Sequence, residues 1–379
     1  MSGTLAIITA QLGTVSETFI RRHVEDLLPG RTVVVAHRSS HPAGGRWRAP
    51  CPVLFLDRFD LGLGPRLARR AGASPRGLRA FAVRRFLRAH EVSAVLGEYL
   101  DHCLEFVPLL DRMRLPYLVQ GHGIDLSAAL RAPEAARDYR AFGSASAVLT
   151  RCEFHRRRLI GLGLPEGRVH VNPGGVDIPD VVLARPEGAE KRFLAIGRML
   201  PKKGPIVLLE AFRRALAEEP DVTLDYIGGG ELLPAARQFV LANALENRIR
   251  LHGTVPEALK LELLGACGVF VQHSLTDPDS GDEEGLPAAI QEAMAVGQAV
   301  ISTRHSGIPE AVEDGATGIL VDEGDAAGMA AAILRLARGK DLAARYGAAG
   351  RAKAEKLYSW EAERARLLSH LRPLMGGRA

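Results

Sequence analysis

Cysteine is scarce in this chain. The four present, Cys51, Cys103, Cys152 and Cys267, lie far apart and form no C-x-x-C pair, so neither a zinc site nor a disulfide framework is expected, and all four read as reduced core or near-core residues. His102 beside Cys103 lacks the further ligands that a metal would need. No apolar run reaches the length of a membrane-crossing helix. The segment Met1 to Ala10 has neither the basic start nor the longer apolar stretch of a secretory signal, and a cytoplasmic protein is the expectation. A G-x-G-x-x-G turn is missing too. Gly228-Gly-Gly-Glu231 does not have that spacing and no acidic residue is placed for a dinucleotide ribose, so NAD is discounted.

What is there points to two α/β domains. The chain has 379 residues, of which 47% are hydrophobic, enough for two cores of ordinary size. Short apolar strands are expected at Leu5 to Thr9, Arg31 to Ala36, Val53 to Leu56, Val92 to Gly97, Pro116 to Gln120 and Ala147 to Thr150. A second series follows at Arg192 to Ile196, Thr223 to Ile227, Ile249 to Gly253, Val269 to Gln272 and Ala299 to Thr303. Helices fall between them, as in parallel sheets buried on both faces. The domains expected are residues 1–180 and 191–357, joined by a Pro-, Gly- and charge-containing linker at 181–190. A last helix, 358–379, crosses back to the first domain.

Charge is uneven. The net charge is +5, and Arg46 to Arg88 holds eleven arginines against Asp57 and Asp60. Pro75 to His90 reads as an amphipathic helix with Leu78, Phe81, Ala82 and Phe86 inward and Arg79, Arg84, Arg85 and Arg88 outward. Such a face suits anionic lipid or a phosphate-linked acceptor, or is simply solvated. No recognised motif accompanies it, so nucleic acid is not expected as a partner.

The most informative stretch is Gly281 to Val300. Pro287 fits the first position of a helix and Gly297 the left-handed position past its end. Between them the residues are small and apolar, which suits a helix buried against a sheet. Glu292 on that helix therefore needs a partner or a ligand. Glu284 lies just ahead, beside Gly285, and the free N–H groups of the first turn favour an anion. At about 1.5 Å per residue the two carboxylates stand roughly 10–13 Å apart. That is the layout of sugar, diphosphate and ribose in a nucleotide-sugar.

Glu284-Gly-Leu-Pro, then Glu292-Ala-Met-Ala, then Gly297, resembles the paired-glutamate signature of the retaining family 4 glycosyltransferases. The resemblance implies a GT-B fold, two Rossmann-like domains with a cleft between them, and transfer of a sugar from a nucleotide-sugar to a hydroxyl acceptor. It covers nearly the whole chain, with Ser16-Glu-Thr-Phe-Ile similar to a bacterial exopolysaccharide branch. In its light Arg198 and Lys203, on a loop after a strand, hold the diphosphate and stabilise the leaving group. Glu284 orients the sugar and Glu292 binds the ribose. Gly285, Leu286 and Pro287 lie at the phosphates, Gly13 in the first strand-to-helix turn, and Val255 near the base.

Gly121-His122-Gly123 ends a strand, and flanking glycines are expected to leave the His122 ring open in the crevice; the family carries a contact with the reaction centre to it. Asp125 either caps the next helix or meets the acceptor. Glu17, with Thr14, has capping-box spacing and lies on the acceptor side. Asp277, Asp279, Asp282 and Glu283 make an acidic loop, where mutual repulsion is the plainer account than a cation, and no metal or cofactor is expected. A UDP-sugar leads among donors. The acceptor is a glycan, a lipid-linked sugar or a small molecule, and contact with the inner face of the membrane through the basic region is one reading. A small-molecule glycosyltransferase and a silent nucleotide-sugar scaffold are the alternatives, with an epimerase or a phosphorylase of the same fold behind them.

Overall fold

The computed structural model describes residues 3–13, 17–38, 47–59, 74–181 and 185–376. It divides into two units: Met1–Arg151, His155–Asn172 and Arg364–Ala379 form the first, and Cys152–Phe154 with Pro173–Glu363 the second. The division thus falls between Asn172 and Pro173, where the sequence places it at 180, and residues 185–190 of the expected linker belong to the second unit.

The first unit holds seven parallel strands: β1 (Thr4–Thr9), β2 (Thr32–Ala36), β3 (Val53–Phe55), β4 (Val92–Glu98), β5 (Tyr117–Gln120), β6 (Ala147–Thr150) and β7 (Val169–Val171). Their order is β3-β2-β1-β4-β5-β6-β7. Near-continuous burial along β1, β2 and β5 explains their apolar runs, since helices cover both faces. One covering helix is the last, Trp360–Met375. Its Leu367, Leu368, Leu371 and Met375 pack with Leu5, Ile7 and Leu96 of this sheet.

The second unit holds β8 (Arg192–Ile196), β9 (Thr223–Ile227), β10 (Ile249–Gly253), β11 (Val269–Val271), β12 (Ala299–Thr303) and β13 (Gly318–Val321). These are parallel in the order β10-β9-β8-β11-β12-β13. Each sheet reverses its order once, between β1 and β4 and between β8 and β11. Ligands of such sheets bind beyond the carboxyl ends of the strands at that reversal. Arg198 and Lys203 follow β8, and Glu284 lies in the segment after β11.

The first helix is continuous from Thr18 to Leu27, α-helical over Thr18–Arg22 and π-helical over His23–Leu27. Two local expectations are corrected. The capping box fails at Glu17, which stands at the N-cap with no side-chain cap bond, while Thr14 lies outside the described residues. In the helix Pro75–Ala89 the buried residues are Val83 and Leu87, four apart, whereas Phe81 is 56% exposed with Arg84 over its ring. Arg79 is half-buried against Glu105, and Arg84, Arg85 and Arg88 face solvent.

Candidate active site

In the second unit the helix Ala288–Ala295 begins after Pro287, which occupies the N-cap rather than the first turn. Ile290, Ala293, Met294 and Ala295 are fully buried, although Ala288 is exposed. Gly297 ends the helix at φ +75°. Among the described residues nothing accepts the N–H groups of Gly285 and Leu286, so two donors stand open beside Glu284. The Glu284 N–H itself donates to His305 Nε2 at 3.0 Å. The proton of that imidazole therefore sits on Nδ1, which meets Glu323 at 2.6 Å.

Glu284 is buried and bonded from one side only. Lys203 Nζ lies 3.0 Å from Oε2 and Lys202 Nζ 3.5 Å from Oε1. Oε1 has no hydrogen-bond partner among the described residues, which leaves it for a ligand hydroxyl. Burial pushes this carboxyl up, but Lys203 and Lys202 outweigh it and bring it down to about 2. Burial lowers the Lys203 ammonium in turn, and Glu284 partly restores it. The loop that delivers both lysines follows β8. Gly204 turns it at φ +47°, where an added Cβ would meet His273 at 2.6 Å. Arg198 on the same loop is exposed and has no partner among the described residues. One free guanidinium and a paired ammonium are thus available to an anion.

Glu292 finds a partner that its sequence neighbourhood did not show: Lys260, on the helix Glu257–Ala266, at 3.2 Å. Its side chain stays 29% exposed, so it is not the enclosed charge expected from the helix pattern. Burial raises its carboxyl and Lys260 opposes that. Val255 is half-buried against Leu194, Ile227 and Leu263. The acidic loop is bound rather than self-repelling. Lys202 pairs with Asp282 at 2.9 Å, and Asp277 accepts from the Asp279 N–H at 3.1 Å and from the Ser280 hydroxyl. No group able to hold a metal occurs among the described residues.

In the first unit, Gly13 has φ +82° at the turn after β1, a conformation that suits glycine. His122 departs most from expectation. Its ring is closed in, 8% exposed. Arg151 Nε donates to Nδ1 at 3.2 Å, so the ring proton is on Nε2 and goes to Glu98 at 2.7 Å. Glu98 also meets His23 Nδ1 at 2.5 Å. Phe19 stacks on the His122 ring with centroids 4.4 Å apart, and Tyr99 lies at 4.6 Å. The glycines on either side of His122 therefore let it turn inward, not outward.

Asp125 is corrected as well. Its carboxylate is fully buried and accepts from the N–H groups of His122, Gly123 and Leu100 at 2.9, 3.0 and 2.9 Å. It shapes its own loop and caps the first N–H of the helix Leu100–Leu104, not the helix that follows it in sequence. Glu17 accepts from the Tyr99 hydroxyl at 3.0 Å, and Tyr99 itself is held at φ +67°, a strain found most often at functional sites. Glu98, Arg151, Lys202, Lys260 and His305 were not singled out by sequence as site residues. Only Glu98 carried a signal, a carboxylate directly after a buried strand at the sheet's reversal.

Two family models match along the chain: "Glycosyltransferase Family 4" over residues 26–179 and "Glycosyl transferases group 1" over residues 184–353. The chain belongs to glycosyltransferase family 4. Its architecture is the two-domain GT-B fold of that family. Among curated relatives, the amylovoran biosynthesis glycosyltransferase AmsK of Erwinia amylovora is 33% identical over 256 residues, 65% of this chain and 63% of the relative. This chain spans 52 to 63% of the length of the first three relatives it matches. The GDP-mannose-dependent alpha-(1-6)-phosphatidylinositol monomannoside mannosyltransferase of Mycolicibacterium smegmatis is 27% identical, over 76% of this chain and 78% of its own. Among solved structures, Anabaena HepE in complex with UDP-glucose superposes with a TM-score of 0.77 at 20% identity, covering 97% of this chain and 99% of HepE.

Proposed function

We propose that this family 4 member transfers a sugar from a nucleoside diphosphate donor to a hydroxyl acceptor, with retention at the anomeric carbon, in the assembly of an exopolysaccharide or other cell-surface glycan. One observation carries the reading. Glu284 sits buried between two lysines with one oxygen free of hydrogen bonds, beside the open amides of Gly285 and Leu286, with the free Arg198 on the same loop as both lysines. A sugar hydroxyl takes the open oxygen, the diphosphate takes the amides, Arg198 and Lys203, and Glu292 takes the ribose. The cations meet the negative charge that grows on the departing diphosphate, where preorganised charge lowers a barrier most. No side-chain general base is assigned: the leaving phosphate helps to deprotonate the acceptor in a front-face reaction, and no metal is required.

The UDP-glucose complex of HepE favours a UDP-sugar, and the mannosyltransferase relatives make GDP-mannose the next to try. Amylovoran synthesis by AmsK supports the polysaccharide class of acceptor. No helix among the described residues is long and apolar enough to cross a membrane. Exposed Arg84, Arg85 and Arg88 with Phe81 support contact with an anionic lipid surface. Flotation with phosphatidylglycerol vesicles, and not with phosphatidylcholine alone, is the expected result there.

The direct test is thermal stabilisation by UDP-, GDP-, ADP- and TDP-sugars and their free nucleotides, because a ligand of the native state raises stability by mass action. A saturating donor at about 100 times its Kd stabilises by about 2.7 kcal/mol, and Glu292→Ala is expected to abolish most of that shift. Well-folded protein that responds to none of them would overturn the donor-site reading and favour a scaffold without a nucleotide ligand or an enzyme that binds its acceptor first.

A further inference from the structure

The best-connected polar cluster outside the donor residues is built around Glu98, at the carboxyl end of β4. Glu98 and His23 are fully buried, and His122 nearly so. Glu98 accepts from rings on two sides, His122 Nε2 at 2.7 Å and His23 Nδ1 at 2.5 Å. On the far side of His122, Arg151 donates to Nδ1 at 3.2 Å and packs its guanidinium over Phe19 at 5.1 Å. A guanidinium has only donors and does not deprotonate in proteins. Hence Nδ1 of His122 has to accept, and the single ring proton has to sit on Nε2. An imidazolium there would set N–H against N–H.

We propose that Glu98 and Arg151 are positioning residues: they lock His122 as the neutral Nε2–H tautomer with both ring nitrogens engaged, so that His122 braces the acceptor site and transfers no proton. This rests on reading the first unit as the acceptor side. What the locked ring contributes is shape. It holds Phe19 on one side and Tyr99 on another, and it anchors the Gly121–Gly123 backbone that Asp125 also gathers. The groups facing the imidazole are Glu98 from β4, Arg151 after β6, Asp125 from its own loop and Tyr99, with His23 behind Glu98. Burial and Arg151 lower its basicity more than Glu98 raises it, in keeping with a ring that stays neutral.

The test is nitrogen-15 NMR of the full chain labelled at histidine, with the His122 signals assigned by their loss in His122→Gln. Native His122 is expected to show a pyrrole-type Nε2, a pyridine-type Nδ1 and no titration from about pH 5 to 8, where a free histidine would titrate. In Glu98→Gln the amide oxygen still accepts from His122, while its NH2 faces His23. His23 is then expected to move its proton from Nδ1 to Nε2, and His122 to keep its tautomer. In Arg151→Met nothing opposes a proton on Nδ1, and His122 is expected to take up that proton at a higher pH than in the native protein. A native His122 protonated on Nδ1, or titrating near 6.5, overturns the lock, as does an unchanged spectrum in Arg151→Met.

Function is read with the donor found by thermal shift. Glu98→Leu is expected to cut kcat about 10- to 100-fold with donor KM unchanged, and Glu98→Gln to recover most of it. A fully active Leu variant, or a Gln variant as inactive as Leu with a native His122 spectrum, overturns the positioning role. Native protein that turns over no donor would defeat the glycosyl-transfer reading, and the spectra would still decide the lock.

Discussion

In a Glu284→Gln variant, turnover of the accepted donor is expected to fall about 10²- to 10³-fold while the chain stays folded. The carboxamide keeps the size of the side chain and can still accept from Lys203, now 3.0 Å from Oε2. It removes the charge that keeps a buried ammonium protonated. Lys203 is already lowered by burial, and without Glu284 it drops further, so the leaving diphosphate loses a cation as the sugar loses its anchor. Breaking a buried pair outright costs about 3–5 kcal/mol. Because the amide oxygen remains as an acceptor, a loss nearer 1–3 kcal/mol is expected here.

The pH dependence has a definite direction. The Glu284 carboxyl is near 2 in the fold against an ordinary 4.5. Its contribution is therefore full above about 4.5 and disappears as pH falls from there towards 2. Native protein should lose its advantage over the Gln variant across that window, which urea unfolding at stepped pH would read. Normal turnover in Glu284→Gln would remove Glu284 from the chemistry.

Gly228→Ala is expected to be the most damaging single methyl in the second unit. Gly228 has φ +148°, and a Cβ there would lie 1.9 Å from the carbonyl oxygen of Gly197. Gly230, at φ +143°, also stands against backbone, with 2.5 Å from an added Cβ to the Met199 oxygen. These contacts are backbone on backbone, so no side chain can swing away. They exist because the turn after β9 is laced to the loop after β8: Met199 N–H donates to Gly229 O at 2.7 Å and Gly197 N–H to Ile227 O at 2.9 Å. The laced segment, Gly197 to Met199, begins the loop that carries Arg198 and Lys203.

A methyl at 228 has to part the two loops, at a cost expected above about 4 kcal/mol. By the usual conversion that lowers Tm by roughly 8–16 °C, and donor-induced stabilisation should vanish with it. Gly188→Ala is the control. That glycine also has positive φ, +73°, but nothing lies within 4 Å of an added Cβ, so only backbone strain of about 1–2 kcal/mol is expected. If the two variants melt together, close packing of the turn is not what fixes the Arg198 loop.

Several elements were legible because their signals are local. Strand-length apolar runs and Gly297 past a helix end depend on residues a few positions apart, and the last helix, read over 358–379, appears at Trp360–Met375. Phe81 was misplaced although Phe86 of the same stripe does pack against the core beside Val83 and Leu87. How wide the inward face is depends on a sheet remote in sequence. His122 was misread for the same reason: its glycines announce a tight turn but not its direction, and Glu98 and Arg151 lie 24 and 29 residues away.

By itself, then, the sequence determined the two parallel-sheet halves, the identity of the paired glutamates and the loops that carry Arg198, Lys203 and His122, since each follows from spacing within one strand-turn-helix step. Only the tertiary structure decided partnership: Lys202 and Lys203 on Glu284, Lys260 on Glu292, Glu98 and Arg151 on His122, and three amides on Asp125. A buried charge has to be met by whatever the sheet order brings beside it. That neighbour comes from another loop or helix, at a sequence distance no local pattern encodes.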